Sequence, residues 1–200
     1  MILVEKEAEN FLEKQGFVVV ERGFAKDKKE LSRVIARIRF PLVMKAYGRN
    51  IIHKRKIGGV KLGIDSYDSA SKNYFQLKKI KGFEGIVIQK QVKGKEILLG
   101  LKYTPEFGHV VVFGEGGSEV EKKKDVSFRV CPLEEKECHE LINDTNIGKK
   151  LNAVEKSVLA KVIKKLCELA SRFPKISELD INPLMIRNKE YYIVDVRVVL

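Results

Sequence analysis

Residues 96–117, EILLGLKYTPEFGHVVVFGEGG, decide how the chain reads. Two runs rich in β-branched and aliphatic residues, 96–104 and 109–114, follow a third, GIVIQKQV at 85–92, across the turn residues Lys93, Gly94 and Lys95. The three read as an antiparallel meander. Glycines at 114, 116 and 117 end the last run, and a further strand resumes at Val126. Upstream, Ala8, Phe11 and Leu12 predict a short helix over 5–15, ended by Gly16 and followed by a strand at 17–20. Leu31, Val34, Ile35 and Ile38 predict a stronger helix between Asp27 and Arg39, stopped by Pro41. An apolar strand, PLVMKAYG, spans 41–48. The run IIHKRKIGGVKLGI at 51–64 reads as a strand pair around a flexible basic turn, and a helix from about 68 to 79 closes this half. Downstream come helices at 134–142 and 151–172. The longer one carries Val154, Val158, Val162, Leu166 and Leu169 along one face, with Pro174 just past its end. Strands at 178–186 and 191–200 close the chain across a polar turn. The expected fold is α/β, with mixed lobes at 1–88 and 89–200 and a ligand cleft between them.

Two hundred residues with 44% hydrophobic side chains are enough for a buried core and exclude a disordered tail. Thirty-nine Lys and Arg against 27 Asp and Glu leave a formal charge of +12, a field that attracts polyanions, nucleotides or acidic surfaces. Nucleic acid is not the expected partner, because there is no RNP-type aromatic pair, zinc finger or tryptophan. Cys131, Cys138 and Cys167 are odd in number and lack CxxC spacing, which suits reduced thiols in a cytosol and neither zinc nor a disulfide framework. No run of about 18 apolar residues and no leader-like N-terminus is present, so a cytoplasmic protein with no membrane partner is expected.

Lys45 is a cation inside an apolar strand, which an anion such as phosphate would satisfy; the alternative is a half-exposed lysine reaching solvent. Lys61 and Lys102 repeat the arrangement. The turn GEGG at 114–117 offers backbone N–H groups to an anion, or is a plain hairpin turn; it lacks the sequence of a P-loop. Asn182 and Asp195 stand at adjoining ends of successive strands, where their oxygens suit magnesium, or where Asp195 pairs with a cation such as Arg197. His53, flanked by Lys54, Arg55 and Lys56, is biased toward the neutral, nucleophilic imidazole; the alternative is a surface histidine.

With these residues in view, the chain resembles, from about residue 5 to 200, the beta subunit of ADP-forming acyl-CoA synthetases of the acetate–CoA ligase type. The resemblance rests on FPLVMK, NIIHKRKIGGVKL, EGIVIQKQV, EILLGLKYTPEFGHVVVFGEGG, EVEKKKDVSFRVCPL, ELDINPL and VDVRVVL in the family's order. It implies an ATP-grasp fold, ATP and ADP as substrates, and an acid–thiol ligase whose alpha subunit binds CoA and the acyl group. Lys45 matches the phosphate-contacting lysine, and Gln89, Lys90, Gln91 and Val92 match the hinge that holds adenine. Glu96 matches an acidic strand-opening position, Gly114, Gly116 and Gly117 the glycine loop, and Asn182 with Asp195 the Mg2+ pair. His53 falls on the family's phosphohistidine relay position. The chain departs from the family pattern at Arg55, Lys56, Lys90, Thr104 and Glu115, and is short between Gly63 and Glu84. Those departures keep open an alternative, a non-catalytic ATP-grasp homologue that binds a partner or regulates one.

Overall fold

The structure is a computed structural model that describes residues 2–4, 6–48, 51, 54, 56–117 and 125–200. The chain divides into two compact units, residues 20–92 and residues 1–19 with 93–200. The boundary expected between 88 and 89 therefore moves, and the first nineteen residues join the C-terminal half. The reason is that β1 (Ile2–Val4) pairs with β11 (Val196–Val199), and α1 (Lys6–Lys14) buries Ala8 and Leu12 in the larger core.

In the 20–92 unit, four antiparallel strands run in the order β2 (Arg22–Ala25), β5 (Gly85–Lys90), β3 (Leu42–Tyr47) and β4 (Val60–Ile64). Helices α2 (Lys28–Ile38) and α3 (Tyr67–Lys78) supply Leu31, Ile35, Ile38, Ala70, Tyr74 and Leu77 to its core. Helix α2 starts at Asp27, whose Oδ1 accepts the Glu30 N–H at 2.8 Å while Glu30 Oε2 accepts the Lys26 N–H at 2.8 Å. It ends at Arg39, with φ 63°. There Lys90 Nζ donates to the carbonyls of Arg39 (3.2 Å) and Phe40 (2.7 Å), serving acceptors that the helix end leaves without intrahelical donors. Strand β5 does not join the expected meander. Its run is buried on both faces, as befits a central strand, and it pairs with β2 and β3. Among the described residues of 51–64, only 60–64 is strand.

The larger unit holds a seven-stranded sheet in the order β1-β11-β9-β6-β7-β8, with β10 also paired to β9. Its strands include β6 (Lys95–Thr104), β7 (Gly108–Glu115), β8 (Val126–Val130), β9 (Glu178–Arg187) and β10 (Glu190–Ile193). The meander is thus β6-β7-β8. The closing run 191–200 is two strands, broken at Val194 and Asp195, and 17–20 contributes only an isolated bridge from Val19 to Ile193. Helices α4 (Glu135–Asn143), α5 (Asn146–Lys149) and α6 (Ala153–Arg172) complete the unit. Leu159, Ile163 and Leu166 of α6 share one core with Leu99, Phe113 and Ile181, whereas Val154 is 43% exposed. The expected stripe fails at that end because the inward position of the first turn is taken by Glu155. Among the described residues, no helix is long and apolar enough to cross a membrane.

The cysteine expectation is overturned as well. Cys131 and Cys167 form a disulfide with Cα atoms 5.4 Å apart, because the fold lays the end of β8 against α6 in a way that local spacing does not reveal. Cys138 stays free and buried.

Two predictions follow from the larger unit's anchors. Glu155, 3% exposed, accepts from Lys95 Nζ (2.6 Å), from the Asn152 N–H (3.0 Å) and from the Asn188 N–H (3.4 Å). Burial would raise its carboxyl pKa, but the Lys95 hydrogen bond, the two backbone donors and the Lys95 charge outweigh it and hold the pKa below the ordinary value. A carboxyl lowered on folding contributes stability that is complete above its unfolded pKa and lost as pH falls through the folded one. Glu155→Gln should therefore cost about 1–3 kcal/mol at neutral pH, with the gap in melting temperature closing below about pH 4; a gap independent of pH would refute the charge-based anchor. The disulfide closes a sequence separation of 36 residues. Cys131→Ser should remove about 3–4 kcal/mol of stability by chain entropy, read by urea titration without reductant, and an unchanged midpoint would show that the link contributes nothing.

Candidate functional site

The site is built where β9 cannot keep its ladder. Pro183 has no N–H, and both edges of the strand break beside it. On one edge β11 pairs with residues 178–181 and β10 with 184–187. The gap is spanned by the Asn182 N–H to the Asp195 carbonyl and the Val194 N–H to the Pro183 carbonyl, each 3.1 Å. On the other edge the register with β6 shifts between Ile97 and Leu99. Asn182 and Asp195 are thereby neighbours, as the sequence expectation had them.

Asn182 is held from a third side. Its Oδ1 accepts the Gly117 N–H at 2.8 Å, and the Gly116 N–H donates to the Glu96 carbonyl at 2.8 Å. Gly117 has φ +100°, a region that disfavours side chains, and a methyl group there would collide with Glu96 Oε2. Gly114 sits within β7, opposite Leu98 and Val126. The N–H groups of Glu115, Gly116 and Gly117 are all used internally, the first toward the Asp125 carbonyl at 3.3 Å. Among the described residues the turn therefore positions Asn182 and Glu96, and of its two sequence readings the open N–H cradle is not the one seen at 115–117.

Asp180 lies within ELDINPL, where the sequence motifs give it no role. Alternation along β9 puts it on the same face as Asn182, which is the signal that could have found it. Burial first, then the charges of Glu178 and Asp195, push its pKa up to about 6 against the opposing Arg197. Asn182 keeps a second lone pair on Oδ1, and Asp195 adds a carboxylate. This small set of hard oxygen donors fits magnesium, which takes its remaining ligands from water and phosphate. Among the described residues no group of three or more His, Cys, Asp and Glu could hold a metal by itself.

Most of the other sequence candidates belong to the 20–92 unit. Lys45 is 5% exposed on β3, between Val87 and Val60 in register. Lys61 is half-buried and Lys102 exposed, so only Lys45 is a buried strand lysine of the three. Gln89 is buried on β5. The Lys90 N–H donates to Glu21 O (2.8 Å) and the Gln91 N–H to Pro41 O (3.0 Å), while Gln91 Oε1 accepts the Gly63 N–H (2.8 Å). Val92 ends the unit. His53 and Arg55 lie outside the described residues, and Lys56 is exposed. Beside the glycine loop, Glu115, Asp125, Asn146, Lys149 and Lys150 line an open cavity of about 610 Å³. The Asp125 carboxylate of KDVSFR accepts the N–H groups of Asn146 (2.9 Å) and Ile147 (3.0 Å), pinning α5.

Comparison with known proteins gives the family of the chain. The family model of the ATP-grasp domain matches residues 1–200. The beta subunit of acetate–CoA ligase [ADP-forming] I from Pyrococcus furiosus is 35% identical over 214 residues, covering 99% of this chain and 91% of that protein. Acetate–CoA ligase [ADP-forming] I from Archaeoglobus fulgidus is 33% identical over 202 residues, covering 94% of this chain but 30% of that protein. The chain thus spans about 30% of the length of the longer curated relatives it matches. The dinucleotide-forming acetyl-coenzyme A synthetase 1 of Ca. Korarchaeum cryptofilum, in complex with coenzyme A, Ca-AMPCP and HgCl+, matches with a TM-score of 0.91 at 30% identity, covering 100% of this chain and 93% of that one. Another structure of that protein, with coenzyme A and Mg-AMPPCP and its phosphohistidine segment pointing towards the nucleotide binding site, matches at 0.85 and 29% identity, covering 100% and 92%. Matched along its whole length in sequence and in fold, the chain belongs to the ATP-grasp domain family.

Proposed function

We propose that this chain is the nucleotide-binding beta subunit of a cytoplasmic ADP-forming acyl-CoA synthetase, an acid–thiol ligase completed by a separate alpha subunit that binds CoA and the acyl group. The observation that carries the reading is the junction at Asn182, where Asp195, Glu96 and the Gly116–Gly117 turn converge. In this reading Lys45 neutralises the phosphates of ATP or ADP, and Asn182 and Asp195 hold Mg2+. When bound, that ion supplies charge neutralisation of the phosphate oxygens. Gly114, Gly116 and Gly117 act by holding Asn182 and Glu96 in place. The backbone from Gln89 to Val92 receives the base; with the N–H groups of Lys90 and Gln91 already engaged, the hinge carbonyls and the Val92 N–H meet its edge.

His53 is proposed as the phosphoryl relay. A ring nitrogen of the neutral imidazole forms the N–P bond as the bond from Pγ to the bridging oxygen breaks and ADP leaves; the reverse step returns the group to ADP. The histidine of the alpha subunit exchanges the phosphoryl group with His53. Two of the departures from the family pattern have local structural work and so do not argue for a lost site. Lys90 serves the end of α2, and Thr104 Oγ1 accepts the Phe107 N–H at 3.2 Å in the β6–β7 turn.

Two experiments test the reading. Calorimetric titration with ADP and ATP should show binding that requires magnesium, weakened at least about tenfold, or 1.4 kcal/mol, by Asp195→Asn and by Lys45→Met. Binding indifferent to magnesium and to both substitutions would sink the assignment. Incubation with γ-labelled ATP should leave an acid-labile, base-stable label on the chain that His53→Asn abolishes; label persisting in that variant would remove the relay while leaving nucleotide binding intact.

A further inference from the structure

The excess positive charge belongs to one unit alone. Residues 20–92 hold eighteen Lys and Arg against six Asp and Glu, which is the whole +12, whereas residues 1–19 and 93–200 hold twenty-one of each. Two of the six acids, Asp27 and Glu30, are engaged at the start of α2. On the helical layer, Lys26, Lys28, Lys29 and Arg33 beside and along α2 are exposed, as are Lys72 on α3 and Lys79 at its C-terminal cap. Among the described residues none of these six forms an ion pair.

One of the six cations lies over an exposed aromatic ring. The Tyr74 hydroxyl donates to the Lys26 carbonyl at 2.8 Å, which sets the start of α2 beside α3. Lys28 Nζ lies 4.2 Å from the ring centre of Phe75, and Phe75 is 48% exposed. Lys72 and Lys79, three residues before it and four after, share its side of α3. A protein partner would have to dehydrate these lysines, and protein interfaces are depleted of lysine for that reason. A phosphate backbone takes each ammonium at the surface and releases counterions in exchange, while an exposed ring among the cations offers a stacking surface to a base. We propose that the α2–α3 face binds single-stranded nucleic acid without sequence preference. The sequence alone argued otherwise because it lacks an RNP-type aromatic pair, and because the charge could not be assigned to one unit without its boundaries.

Fluorescence anisotropy of the full chain with a labelled oligouridine of about 20 nucleotides tests this. Six contacts predict binding at low salt with a log–log salt slope of about −4, unmoved by an excess of Mg-ADP. Lys28→Glu with Lys72→Glu and Lys79→Glu should cut the slope to about −2 and the affinity at least tenfold. Phe75→Ala should weaken binding by about fivefold to a hundredfold. Lys149→Glu with Lys150→Glu, in the other unit, should leave affinity within about twofold, since surface changes away from the contact are near-neutral. Thermal melting by circular dichroism establishes that each variant is folded. The proposal is overturned by an absence of binding at low salt, by displacement with Mg-ADP, or by folded α2–α3 variants that bind as wild type. It is equally overturned if polyglutamate displaces the strand and Phe75→Ala has no effect, which would mark the face as a dock for an acidic protein.

Discussion

A missing backbone hydrogen organises the larger unit. Pro183 cannot donate to a neighbouring strand, so β9 is flanked on one edge by two short strands and on the other by a register shift. A central strand normally hides its side chains in an unbroken ladder. Here the interruption leaves Asn182 and Asp195 linked through a single N–H to carbonyl contact, with the Gly117 turn bonded to the Asn182 amide. The strand loses regular pairing over two residues and gains a fixed set of oxygens. The ladder on either side, from Glu178 to Ile181 and from Leu184 to Arg187, holds that set in place.

Much of this was legible beforehand, and the parts that were not share a cause. The helices at α2, α3 and α6 were readable because apolar spacing is a local property, and 178–186 was readable as a strand, though not the break in its ladder at Pro183. The membership of β5 was not, since a run buried on both faces looks the same in either sheet. The pairing of β1 with β11 joins opposite ends of the chain and leaves no local trace. The inward-facing Glu155 broke the stripe expected from Val154 because a polar anchor outweighed apolar spacing in the first turn of α6. The Cys131–Cys167 link likewise depends on where α6 lies over the sheet. In the site, Asn182, Asp195 and the glycines stand out in the sequence and Glu96 only through the family resemblance, whereas Asp180 needs the environment of Glu178, Asp195 and Arg197 to stand out.

Several polar residues that draw attention as departures or motifs turn out to hold backbone. Lys90 terminates a helix, Gln91 Oε1 holds the Gly63 N–H, and Asp125 secures two N–H groups of a short helix. Each satisfies backbone groups that would otherwise be costly to leave without partners. A substitution relative to a family pattern can thus reflect a new local bond while the chemistry beside it is retained.

The connectivity also sets an order of events during synthesis. Residues 20–92 are continuous, and their entry and exit are tied together by the Lys90 N–H on the Glu21 carbonyl. All four strands and both helices of that unit exist once residue 92 has been made. Strand β1, by contrast, waits for residues 196–199 before it has a partner, so the larger sheet is completed only after every residue of the smaller unit has been made.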